Sequence, residues 1–120
     1  IAFRYLLPRE GSTGGVRILE EASAFKLPDN TVSFLTPQSD AMIGFARTKP
    51  SYEEFYYLEK ALTDKSEYGH GYTFPCMFKL DAGAWVMISE TGVDSHYCAS
   101  HLSDWDPQQG YTIAFPLPEE

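Results

Sequence analysis

The side chains able to do chemistry here are two cysteines, three histidines and a surplus of carboxylates, 17 against nine Lys and Arg. Cys76 falls in the run Tyr72–Leu80 and Cys98 in His96–Leu102, with Ala84–Glu90 between them. All three runs read as strands. If they pair in chain order, the two cysteines sit on opposite neighbours of the middle strand. Two strand spacings of ~4.8 Å put them about 10 Å apart. A disulfide needs Cα atoms within ~7 Å, so both are expected as free, buried thiols, and cysteine usage does not fix the compartment. His70 lies between Gly69 and Gly71, which predicts a loop. His96 and His101 are an odd number of residues apart and so face opposite sides of a strand. There is no C-x-x-C and no H-E-x-x-H, so the histidines read as surface or hydrogen-bonded groups and not as zinc ligands. No P-loop, dinucleotide fingerprint or nucleophile elbow is found, and nothing places a base beside Ser89. A glycosidase needs two carboxylates facing one sugar bond across a set separation, and no such pair stands out.

One carboxylate does. Glu90 shares the parity of Ala84, Val86 and Ile88 on a strand that is apolar on both faces. A charged carboxylate there is costly unless it is paired or bound to a cation. Its place at the end of the strand, with Gly92 and Asp94 close behind, leaves a second reading open: a solvated or salt-bridged strand end. On the residues alone, the solvated or salt-bridged end is the favoured of the two.

The elements that must position Glu90 are strands separated by turns. Eight prolines, nine glycines and 15% aromatics favour frequent turns over long helices. Ile1–Leu6 alternates, with Ile1, Phe3 and Tyr5 on one face. A loop rich in Gly follows, then Val16–Ile18, Phe25–Leu27 and Thr31–Leu35, the last closed by Pro37. Residues 38–50 show no clear period. Tyr52–Leu62 is ambiguous: Ser51 and Glu54 could form a capping box, while Phe55-Tyr56-Tyr57 favours a strand. The strongest signal is a hairpin in which Phe74, Cys76, Phe78 and Leu80 share a face and Asp81-Ala82-Gly83 turns the chain. The return arm, Ala84–Glu90, is expected to be a central strand buried on both sides, which would bury Trp85. Tyr111–Phe115 is the last strand, stopped by Pro116 and Pro118. The fold class expected is all-β, an antiparallel sandwich.

A net charge of −8 with scattered basic residues argues against a nucleic-acid partner. It is compatible with a divalent cation or a neutral sugar. No apolar run approaches the ~18 residues of a membrane span. The chain opens with Ile1 inside an apparent strand, which suggests a segment of a longer polypeptide.

Several of these segments resemble glycoside hydrolase family 97. Tyr72–Leu80 followed by Ala84–Val93 looks like that family's Thr-x-Pro approach to a hairpin, with an apolar strand ending in a Glu-Ala-Gly-Val-type box. His96–Leu102 resembles its next strand, Ile1–Tyr5 its "AFRY" strand, and Tyr111–Pro116 its closing strand. Thr91 departs from the pattern, standing where Ala is usual. The resemblance implies that residues 1–120 are the second half of an N-terminal β-supersandwich domain. The acid and the base or nucleophile would lie on a following (β/α)8 barrel of the same polypeptide, outside this chain. It implies a calcium-dependent, exo-acting α-glucosidase or α-galactosidase acting on α-linked oligosaccharides, periplasmic or secreted. It also implies that Glu90 is the calcium ligand lent by the N-terminal domain, a role oxygen-seeking calcium makes reasonable. For Tyr52–Leu62 it favours extended structure. The alternative is a free-standing carbohydrate-binding sandwich, with Trp85, Trp105 or the Tyr52–Tyr57 aromatics as a stacking platform; stacking needs exposed rings, and Trp105, among Ser103, Asp104 and Asp106, is the one expected to be exposed. A plain interaction module is a third reading. Strand edges left unpaired in a partial sandwich would favour self-association.

Overall fold

In the computed structural model, residues 1–7, 15–39 and 56–116 are described. Seven strands are found among them and no helix: β1 (Ala24–Phe25), β2 (Val32–Pro37), β3 (Tyr57–Ala61), β4 (Tyr72–Lys79), β5 (Trp85–Ile88), β6 (His101–Leu102) and β7 (Tyr111–Ala114). Every pairing is antiparallel. They form one open sheet in the order β1-β7-β6-β4-β2-β3, with β5 also paired to β4. The all-β expectation holds, with an open antiparallel sheet of the kind that makes a sandwich layer. For Tyr52–Leu62, strand β3 occupies Tyr57–Ala61 and no helix forms among the described residues, while residues 52–55 lie outside them. The uncertain stretch 38–50 lies almost wholly outside them too.

The hairpin forms where its alternation predicts. Tyr72, Cys76 and Phe78 are fully buried on one face of β4, while Pro75, Met77 and Lys79 point outward, as a period of two requires. The Leu80 N–H donates to the Ala84 carbonyl and the Gly83 N–H to the Leu80 carbonyl, each at 2.9 Å. Gly83 sits at φ 81°, where a residue with a Cβ is strained.

Strand β2 covers one edge of β4 along its length, from Val32↔Lys79 to Pro37↔Tyr72. The other edge is shared. β5 takes Cys76–Lys79 and β6 takes Tyr72, so β5 and β6 lie end to end along one line. Continued by two residues, both registers arrive opposite Phe74, at Glu90 from one side and Ser100 from the other. Residues 91–99 are an excursion out of the sheet at that point. Pro75, the neighbouring residue of β4, has no N–H; by alternation that position faces β2, where the register shifts between Phe34 and Thr36.

The core collects on the inner face: Leu35, Leu62, Tyr72, Cys76, Phe78, Leu102, Trp105 and Tyr111. Tyr111 is its hub, with ring centroids 5.1 Å from Trp105, 5.4 Å from Phe78 and 6.1 Å from Tyr72. Such tilted and edge-on contacts add about 0.5–1.5 kcal/mol each beyond area burial. The phenols keep partners inside: Tyr72 donates to the Asp64 carbonyl at 3.1 Å and Tyr111 to the Leu62 carbonyl at 3.4 Å. Burial pushes both phenols well above their ordinary range.

Four expectations are corrected. β5 is not a central strand: among the described residues it pairs with β4 alone, and Trp85 is 53% exposed. Apolar residues on both faces report what the faces touch, not how many neighbours the strand has. The outward ring of Trp85 is partly covered by Phe34, 5.1 Å away across the sheet, and lies under the Lys79 ammonium. Trp105, expected to be exposed among Ser103, Asp104 and Asp106, is only 6% exposed, because polar neighbours in a loop do not fix where a ring points. His96–Leu102 is strand only at its last two residues. Asp94 draws residues 94–97 into a turn instead, its carboxylate accepting the His96 N–H at 2.7 Å and its carbonyl the Tyr97 N–H at 3.2 Å. Ile1–Leu6 and Val16–Ile18 form no strand, since no partner strand lies beside them among the described residues.

Gly71 carries the tightest backbone approach: at φ 86°, a Cβ there would meet the Leu102 carbonyl oxygen at 1.9 Å. Gly83 has a similar φ of 81° and open space around it. Gly83→Ala should therefore cost only the left-handed strain, about 1–2 kcal/mol. Gly71→Ala should add an overpacking cost of about 1–3 kcal/mol and separate β4 from β6. Urea midpoints of the two variants, compared at constant slope, check the ranking.

Candidate functional site

Glu90 follows β5 by two residues and keeps its parity. It is half-buried on the face of Val86 and Ile88, which pack against the core, while Trp85, Met87 and Ser89 point the other way. Its carboxylate is held by one residue through two bonds. The Ser100 N–H donates to Oε1 at 2.8 Å and the Ser100 hydroxyl to Oε2 at 2.8 Å. Ser100 is buried and begins the return into β6. The carboxylate thus closes the base of the 91–99 excursion.

No Lys, Arg or His among the described residues forms an ion pair with Glu90. Among the described residues its charge is met by neutral donors alone. A carboxylate has about four acceptor positions, and Ser100 uses one on each oxygen. Both oxygens remain able to ligate. Nearby, Tyr97 has its phenol raised by burial. The Ser100 hydroxyl beside it acts the other way, and the carboxylates of Glu90 and Glu21 add to the rise. The excursion therefore brings the Tyr97 phenol within electrostatic reach of Glu90 and of Glu21, which lies outside it.

A hard divalent cation fits this donor: an oxygen ligand with charge uncompensated among the described residues and its plane set in advance. It is one ligand and not a whole site. Among the described residues no group of three or more His, Cys, Asp or Glu could hold a metal ion. The histidines are not brought together at Glu90. His96 is exposed in the Asp94 turn, its Nδ1 3.7 Å from the Asp94 carboxylate. His101 is buried in β6. With His70 it lines a shallow cleft that also includes Ser103, Asp104 and Phe115. Of the proposed stacking rings, Trp85 and Tyr56 are exposed, Trp105 is in the core, and Tyr52 and Phe55 lie outside the described residues. Both cysteines are free, as expected, but only Cys76 is buried. Sequence reasoning missed Ser100. Only the two registers on β4, which converge on Phe74, could have marked it.

The chain matches the family model described as glycosyl-hydrolase 97 N-terminal over residues 1–118. It is similar to the crystal structure of a β-arabinopyranosidase, at 57% identity and a TM-score of 0.75. That match covers 82% of this chain and 16% of the other, so this chain spans a small part of the enzyme it resembles. No curated protein matches it. No helix among the described residues is long and apolar enough to cross a membrane.

The two thiols should differ sharply in reactivity. Burial pushes Cys76 up to about 12, so it carries almost no thiolate near neutral pH, while Cys98 is open to solvent. Iodoacetamide at pH 8 should label one site in the native protein. Cys98→Ser should abolish that labelling, and urea should restore it at Cys76.

Proposed function

Since the chain belongs to the N-terminal domain of glycoside hydrolase family 97, we propose that it is the non-catalytic part of an exo-acting glycosidase and lends Glu90 to a calcium ion shared with the catalytic barrel of the same polypeptide. The observation that carries this reading is the Glu90 carboxylate: half-buried, fixed in plane by Ser100, without a cationic partner among the described residues, and with ligating capacity left on both oxygens. Calcium, when bound, supplies a fixed positive charge that stabilises negative charge near the reacting sugar. Glu90 would contribute one oxygen ligand, and the barrel the others along with the acid and the base or nucleophile. An exported, periplasmic or secreted enzyme accords with the resemblance.

The substrate we propose is a galacto-configured glycoside. The similar structure is a β-arabinopyranosidase, and β-L-arabinopyranose is α-D-galactopyranose without its exocyclic hydroxymethyl group. An α-galactosidase and such an enzyme thus face one ring configuration at the bond that breaks. They differ in whether the pocket admits the extra group. An α-glucoside differs at a ring hydroxyl instead, and a site built to bond that hydroxyl discriminates strongly.

A second reading has one observation behind it: Trp85 is outward-facing, with Phe34 beside it and the Lys79 ammonium near its ring. That arrangement is usable for sugar stacking. Trp85→Ala separates the two, since loss of oligosaccharide binding with unchanged hydrolysis would favour the sugar-binding module.

For the main reading, the full-length enzyme should hydrolyse aryl β-L-arabinopyranosides and aryl α-galactosides well above aryl α-glucosides. Glu90→Gln should weaken calcium binding, read by titration of chelator-stripped enzyme, by at least the ~10–100-fold that loss of an outer-shell partner costs. An unchanged titration removes Glu90 from the ligand set.

A further inference from the structure

We infer that Ser100 is the positioning residue for Glu90, and that the Glu90–Ser100 clamp couples order in the 91–99 excursion to occupancy of the cation site. This rests on the calcium reading proposed above. A carboxylate at the end of a strand has rotamer freedom that a metal must remove on binding. Here that freedom is already reduced. Two donors from one buried residue, the backbone N–H and the side-chain hydroxyl, hold Oε1 and Oε2 at 2.8 Å each. A two-point hold fixes the plane of the carboxylate as well as its position. Carboxylates that ligate metals are themselves commonly hydrogen-bonded, and their partners tune the affinity.

The placement of Ser100 follows from the sheet. β5 and β6 are collinear on β4, and both registers converge on Phe74. Glu90 and Ser100 therefore meet because they are the two residues flanking the gap in one strand line. Between them, residues 91–99 are exposed except for a half-buried Tyr97. Their internal anchors among the described residues are local: the Asp94 turn, with its bridge to Tyr97, and the weak Ser95–His96 contact. The clamp is what returns the chain to the sheet. By linkage, a cation that stabilises the ligating pose of Glu90 also stabilises the clamp, and loss of the clamp weakens the cation.

The test uses the full-length enzyme stripped with chelator and titrated with calcium chloride. Ser100→Ala removes the hydroxyl bond and leaves the backbone bond, and should weaken calcium binding about tenfold, the low end for a lost outer-shell partner. Ser100→Cys keeps the size with a poor donor and should behave like Ala, so it decides the matter if Ala disturbs folding. Ser100→Thr retains the hydroxyl and should restore affinity. In the unmodified enzyme, hydrogen exchange at the Ser100 amide should slow on adding calcium, and this dependence should vanish in Glu90→Gln. A purely structural serine would protect that amide equally with and without calcium. If Ser100→Ala and Ser100→Cys bind calcium as wild type does while Glu90→Gln does not, Ser100 is not a positioning residue and the ligand role of Glu90 stands. If Glu90→Gln also binds normally, both ideas fall together.

Discussion

Eight residues, Tyr72–Lys79, supply backbone partners to three other strands, and the limits of that supply shape the rest of the molecule. One edge of β4 is filled by β2. The other must serve two short strands, β5 and β6, whose registers meet opposite Phe74. A ladder that cannot be continuous has to be closed by some other hydrogen bond if buried polar groups are to stay satisfied. The Ser100 N–H finds its acceptor in a side chain, the Glu90 carboxylate, and not in the ladder. Two short strands meeting on one edge of β4 thus place an acidic group at the gap between them.

The two faces of the sheet do different work. The inner face is sealed by aromatic contacts around Tyr111, with its phenols bonded to carbonyls of the Leu62–Asp64 turn. The outer face carries Phe34, Met77, Trp85 and Met87 in adjacent registers, and the last two are largely exposed. Apolar side chains aligned across strands make a contiguous surface, unlike the scattered exposure normal for a globular protein. Glu90 belongs to the inner parity, so its carboxylate emerges at the end of β5 on the side of the core and not among the outer apolar rings.

Much of this was legible in the residues. The Phe74-Cys76-Phe78 alternation, the turn at Gly83, the last strand at Tyr111 and the parity of Glu90 all follow from a period of two and the conformational freedom of glycine. Free cysteines were expected, and they are free, though the reason differs: Cys98 is exposed beside a turn and not buried on a strand. What local pattern could not convey is which strand neighbours which. β5 has a central strand's composition and an edge position, since composition reports the chemistry of both faces and not the number of hydrogen-bonded partners. Trp85 and Trp105 exchanged their expected environments: Trp85 lies on the outer face of β5, and the direction of the Trp105 ring in its loop depends on distant residues such as Tyr111. Ser100 was invisible because its role arises from a register that exists only once β5 and β6 have both paired with β4.

The collinearity of β5 and β6 has a consequence for how such a domain can vary. Residues added or removed between Glu90 and Ser100 would leave both registers on Phe74 unchanged, because the sheet resumes where it stopped. The clamp makes that stretch a slot, open to changes of length and composition at little cost to the core. The slot begins beside the carboxylate, so a new loop placed there would lie next to whatever Glu90 holds. Variation confined to one short segment could reshape the rim of a neighbouring site while the domain beneath it keeps its fold.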